Sequence, residues 1–98
     1  EYVCDHDPMR FARFAVNVFG CEMDYAHPER TAQAGIRRLR EFFRALHMPA
    51  ALQELGGKAE DIPAMVAHRA EKPNGFPFGG FVKIYPADME AILRRCGA

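Results

Sequence analysis

Four histidines, three cysteines and thirteen carboxylates are the groups in this 98-residue sequence that could hold a metal or move a proton. Their spacing decides what they can do. Asp5, His6 and Asp7 are metal-ligand types in a row. Adjacent residues seldom point at one ion without a loop built for it, and metal sites need convergent ligands held by further hydrogen bonds. Asp7 has a simpler task, since it stands where its carboxylate can cap a helix beginning at Pro8. His27, His47 and His68 stand apart. A catalytic imidazole needs a partner within hydrogen-bond reach, and none is signalled. His27 precedes a helix, His47 ends one where positive charge suits the dipole, and His68 lies mid-helix beside Arg69, so surface or capping roles are expected. The chain has no serine, and Thr31 is its one threonine, which excludes a Ser–His–Asp triad. Cys4, Cys21 and Cys96 are odd in number and far apart. They form neither a disulfide framework nor a zinc knuckle, and none is flanked by residues that would activate a thiol. A reducing, cytoplasmic compartment is expected.

The stretch NGFPFGGFVKIYPADM, residues 74–89, carries the densest cluster of turn-formers. A phosphate-cradling loop needs a Lys and then a Ser or Thr after its last glycine, to meet phosphate and magnesium. Here Phe81 and Val82 follow Gly79 and Gly80. A dinucleotide fingerprint needs G-x-G-x-x-G between a strand and a helix, but Gly75 stands alone with no strand before it. What remains is a tight loop, a hinge between helices. Its glycines allow positive φ and its phenylalanines anchor it or wall a pocket.

The elements that must position these groups read as helices. Pro8 and Gly20 bracket the first, in which Phe11, Phe14, Ala15, Val18 and Phe19 form an apolar stripe. The second runs from about Pro28 to Leu46, with Ala32, Ile36, Leu39, Phe43 and Leu46 facing inward and Arg37, Arg40, Glu41 and Arg44 on another, solvated face. A short helix around Ala50–Leu55 stops at Gly56 and Gly57. The next starts near Asp61, with Ile62, Met65, Val66 and Ala70 inward. After an irregular loop from Lys72 to Phe81, Pro86 opens a last helix with Met89, Ile92, Leu93 and Cys96 on one side. Val82–Tyr85 could be extended but has no obvious partner strand. The expectation is an all-α chain of about five short helices forming a single helical subdomain, 1–98.

The formal charge is zero, which argues against a dedicated nucleic-acid binder. No apolar run approaches membrane-spanning length, and there is no secretory-type leader. Hydrophobic residues make up 49% of the sequence, rich for a small free-standing domain with much surface to keep wet. With an opening at Glu1 that lacks a methionine, this leads us to expect a fragment of a larger protein.

The composite of RFARFAVNVFG, AGIRRLREFFRALHMPAALQELG, EDIPAMVAHRA and FGGFVKIYPADMEAIL, in that order, resembles the C-terminal end of iron-containing (type III) alcohol dehydrogenases. The NAD(P)H-dependent butanol dehydrogenases are the nearest in pattern. The resemblance runs from about Met9 to Cys96 and implies the helical domain of a dehydroquinate synthase-like fold. In that family an N-terminal α/β domain binds the nicotinamide cofactor. A helical domain supplies an Asp and three His to a divalent iron or zinc, which polarises the substrate oxygen during hydride transfer. None of the four histidines here falls at a matching position. The resemblance therefore implies no metal ligand, no cofactor contact and no catalytic residue in this chain, and no turnover by the 98 residues alone. It implies the remainder of the parent enzyme as partner, a small alcohol or aldehyde as substrate, and a homodimer, since these are common among relatives. It also places the loop 74–80 near the substrate cavity, with Phe76, Pro77, Phe78 and Gly79 as apolar wall. Wall and anchor have the same composition, so both readings stand at this point. The rival expectation is a free-standing helical interaction module that uses the Arg37–Arg44 face or the stripe of the first helix.

Overall fold

Asp7 and Pro8 start the first helix as their chemistry dictates. Helix α1 spans Pro8–Phe19, and the Asp7 carboxylate accepts a hydrogen bond from the Arg10 backbone N–H at 3.3 Å. Gly20 ends it in the left-handed region at φ 66°, donating its N–H to the Val16 carbonyl. Helix α2 spans Pro28–Ala45. Its entry is shaped by Asp24, whose side chain accepts from the N–H groups of Ala26 (3.1 Å) and His27 (3.0 Å). Thr31, buried in the first turn, accepts from the Asp24 N–H at 2.9 Å and donates to the Glu22 carbonyl. The computed structural model that gives these contacts describes residues 1–97. The chain divides into two compact units, Glu1–Met48 and Pro49–Ala98.

In the first unit α1 packs on α2 through small residues. Ala12, Ala15 and Ala32 are fully buried and Gly35 is buried beside them. Without side-chain bulk at these positions the two backbones approach closely. The expected phenylalanine stripe is therefore not the seam itself. Phe11, Phe14 and Phe19 are half-buried along its edges, with Phe14 and Phe19 edge to face at 5.6 Å, and Val18 is 61% exposed. On α2, Ala32 is buried and Ile36 and Leu39 are half-buried, but Phe43 and Leu46, expected inside, are exposed. Length explains this. At about 1.5 Å per residue, α1 is about 18 Å long and α2 about 27 Å, so the last turns of α2 outrun their partner. Phe42, Leu46 and Met48 are exposed there too.

In the second unit the segment expected as a short helix is a 3-10 turn, Leu52–Leu55, ended by Gly56 at φ 82°. Its four residues are too few to close an α-helical ladder. A 3-10 turn at Ala59–Asp61 leads into helix α3, Ile62–Ala70. The Asp61 carboxylate accepts from the Lys58 N–H at 2.9 Å. Ile62 is fully buried, Met65 and Val66 are half-buried, and Ala70, expected inside, is exposed. Helix α4 spans Pro86–Arg95, with the Asp88 carboxylate accepting from the Tyr85 N–H at 3.0 Å. Met89, Ile92 and Leu93 are half-buried and Cys96 is exposed. A further 3-10 turn, Cys4–His6, precedes α1. The chain is all-α. Among the described residues there is no strand, only an isolated antiparallel bridge between Phe78 and Ile84. Ile84 thus finds the partner that the extended segment Val82–Tyr85 lacked in the sequence, a few residues upstream.

Candidate functional site

The loop between α3 and α4 is the most constructed feature of the second unit. It leaves α3 by a turn in which the Lys72 N–H donates to the Arg69 carbonyl and the Gly75 N–H to the Lys72 carbonyl. Gly75 is buried, and a β-carbon there would collide with the Arg69 carbonyl oxygen, so the chain can turn this tightly only with glycine. Phe78 and Ile84 then exchange both backbone hydrogen bonds, at 3.1 and 2.6 Å. Gly79 carries the reversal at φ 104°, a conformation that residues with a β-carbon rarely adopt. The Phe76–Pro77 peptide is cis.

Arg69, in the last turn of α3, holds this loop from inside. Its Nε donates to the Gly75 carbonyl at 3.1 Å and its Nη2 to the Asn74 carbonyl at 3.4 Å. Its guanidinium carbon lies 4.7 Å from the centroid of the Phe78 ring, which in turn packs on Phe76 with centroids 5.7 Å apart. A charged hydrogen bond and a cation–π contact at a part-buried position together contribute on the order of 2 kcal/mol, enough to fix the loop against thermal exploration. The sequence reading passed over Arg69. The available signal was a basic residue in the last turn of a helix, immediately ahead of a Pro- and Gly-rich loop, where free carbonyls await donors.

Of the four residues expected as pocket wall, Phe76 and Phe78 are half-buried and stacked together, whereas Pro77 and Gly79 are exposed. The other chemistry-bearing residues are not brought together. No group of three or more His, Cys, Asp or Glu converges among the described residues. His27 caps α2 in position only, with no side-chain capping bond, and faces Glu29 at 3.4 Å. His47 sits past the end of α2 at φ 59°. Cys4 is buried, and desolvation pushes its thiol above the usual range, the reverse of activation. An open groove of about 230 Å³ is lined by Pro49, Ala50, Ala51, Leu52, Leu55, Leu93 and Cys96. That is below the range usual for small-molecule sites.

The chain is thus helical, with a constructed loop that presents apolar rings, and one known protein is weakly similar to it. It is 29% identical over 97 residues to the NADH-dependent butanol dehydrogenase A of Clostridium acetobutylicum. That alignment covers 97% of this chain and 24% of the relative, so the chain spans about a quarter of that protein's length. No family model matches the chain, and no solved structure does. The similarity supports a distant relationship to alcohol dehydrogenases. No helix among the described residues is long and apolar enough to cross a membrane.

Proposed function

We propose that this chain is the C-terminal helical part of an iron-type, metal-dependent alcohol dehydrogenase that interconverts primary alcohols of about butanol size with their aldehydes, using NAD(P)H. On this reading residues 1–98 form one helical subdomain of a cytoplasmic enzyme, in which the remainder of the parent chain supplies the nicotinamide site and the divalent iron or zinc. No metal ligand and no cofactor contact is assigned to the residues present here. Their contribution is apolar. Phe76, Pro77, Phe78 and Gly79 wall the space for the alcohol chain, and the 98 residues alone are inactive. The observation that carries this reading is the 29% identity over 97 residues to a butanol dehydrogenase, an alignment that covers 97% of this chain and 24% of that protein.

The test is alcohol-dependent reduction of NAD+ and NADP+ by the full-length parent, with iron or zinc added, beside the 98-residue chain. The expected result is an active parent and a silent chain. A parent silent with both metals and both cofactors overturns the reading, and turnover by the 98 residues overturns their assigned inactivity. A second reading, a helical protein-interaction module, draws on the exposed apolar end of α2 at Phe42, Phe43, Leu46 and Met48, and a silent parent would bring it forward.

A further inference from the structure

We propose that Asn74 is a site of spontaneous chemical modification, deamidation to aspartate and isoaspartate, and that the turn held by Arg69 is the lock that sets its rate. In the step itself the Gly75 backbone nitrogen attacks the side-chain carbonyl carbon of Asn74. That nitrogen gives its proton to solvent as the new carbon–nitrogen bond forms. The bond to Nδ2 breaks, Nδ2 takes up a proton, and ammonia leaves. Water then opens the five-membered imide at either carbonyl and leaves a carboxylate. Asparagine is thermolabile for this reason. It is most so before glycine, which has no β-carbon to hinder the attack. Nothing in this step depends on the parent being a dehydrogenase.

The fold cannot shed that neighbour. A β-carbon at the buried Gly75 would collide with the Arg69 carbonyl oxygen, so the turn keeps a glycine directly after Asn74. The structure occupies the nucleophile instead. The Gly75 N–H donates to the Lys72 carbonyl at 3.0 Å, closing a β-turn with Pro73 and Asn74 at its centre. Arg69 holds the peptide units on both sides of the reacting bond, through the Gly75 carbonyl at 3.1 Å and the Asn74 carbonyl at 3.4 Å. Attack requires the nitrogen to leave its hydrogen bond and the Asn74 backbone to rotate, so it proceeds from the opened loop. Asn74 is exposed, and water reaches the imide once it forms. Isoaspartate adds one atom to the main chain. Gly75 then falls out of register with Lys72 and Arg69, and the modified loop does not relock.

The experiment incubates the full-length protein, wild type and Arg69→Met, beside a free peptide of residues 69–80 at one mildly alkaline pH. Mass spectrometry of the fragment that contains Asn74 reads the conversion, and an isoaspartyl methyltransferase assay counts the isoaspartate. Wild type is expected to convert at least about tenfold more slowly than the peptide. Arg69→Met, which loses two charged hydrogen bonds to the turn, is expected to convert about tenfold faster than wild type. Protected α3 and α4 amides in Arg69→Met would show that the loop has loosened and the fold has not failed. If that variant does not fold, Arg69→Lys takes its place. It keeps the charge without the planar fork and should convert at a rate between wild type and peptide. A wild-type rate equal to that of the peptide overturns the lock. A folded Arg69 variant that converts no faster than wild type overturns the role of Arg69, and a peptide that stays intact overturns the site itself.

Discussion

Replacing Gly35 by alanine sets two well-known effects against each other at one position. Within a helix, alanine is favoured over glycine by about 1 kcal/mol, so propensity alone predicts a more stable protein. The structure predicts the opposite. A β-carbon at Gly35 would lie 2.5 Å from the Ala15 β-carbon and 2.9 Å from its α-carbon, against a normal carbon–carbon separation of about 3.5–4.0 Å. One of these atoms belongs to backbone, so no rotamer change relieves the clash and α1 and α2 must move apart by about 1 Å. Overpacking of this kind costs about 1–3 kcal/mol, and the separation also weakens contacts at Ala12 and Ala32, which are fully buried in the same seam. After the propensity gain is subtracted, a loss of up to about 2 kcal/mol remains, and the weakened seam contacts add to it. With a urea m-value of about 1 kcal/mol/M for a chain this small, that lowers the midpoint by up to about 2 M. Far-UV circular dichroism would read the transition, and amide exchange at Ala12, Ala15, Thr31 and Ala32 would assign it to the first unit. Gly35→Val, larger and without the propensity gain, should fall further. A midpoint for Gly35→Ala at or above wild type would refute the close-approach argument.

Two further outcomes follow from the same structure. Gly20→Ala is expected to lower stability by about 1 kcal/mol through backbone strain alone, because φ is 66° and an added β-carbon meets nothing within 4 Å; thermal or urea unfolding that shows no loss would argue against the left-handed cap. For Cys4, burial raises the folded thiol above the usual cysteine range, so at alkaline pH the unfolded chain releases its proton first and stability falls with rising pH until the folded thiol also ionises. Urea midpoints from pH 7 to 11 should show this loss in wild type and not in Cys4→Ala, and identical pH dependence in the two would refute it.

Local chemistry explains which features could be read in advance. Asp7 with Pro8, Pro28, Asp61 and Pro86 with Asp88 announce helix starts because capping and proline geometry involve only three or four neighbouring residues. Gly20 and Gly56 announce stops for the same reason. The all-α class and three helix starts at Pro8, Pro28 and Pro86 were therefore legible. What faces what was not. Periodicity marked Phe43 and Leu46 as interior because they continue the α2 stripe, but interior status requires an opposing surface, and α1 ends too soon to supply it within its unit. Similarly, Ala12 and Gly35 carry little hydrophobic signal, yet they form the seam because the closest backbone approach selects for the smallest side chains.

The candidate site divides along the same line. Residues 74–80 are legible as a glycine-punctuated, phenylalanine-bearing loop that lacks the spacing of a phosphate cradle, since such motifs depend on residue types at short fixed spacing. That Arg69 reaches forward to Asn74, Gly75 and Phe78, and that Phe78 pairs with Ile84, emerges only once the chain is folded. A guanidinium on a flexible stem can satisfy many acceptors. Which carbonyls it takes is fixed when the chain has closed the turn and placed them within reach.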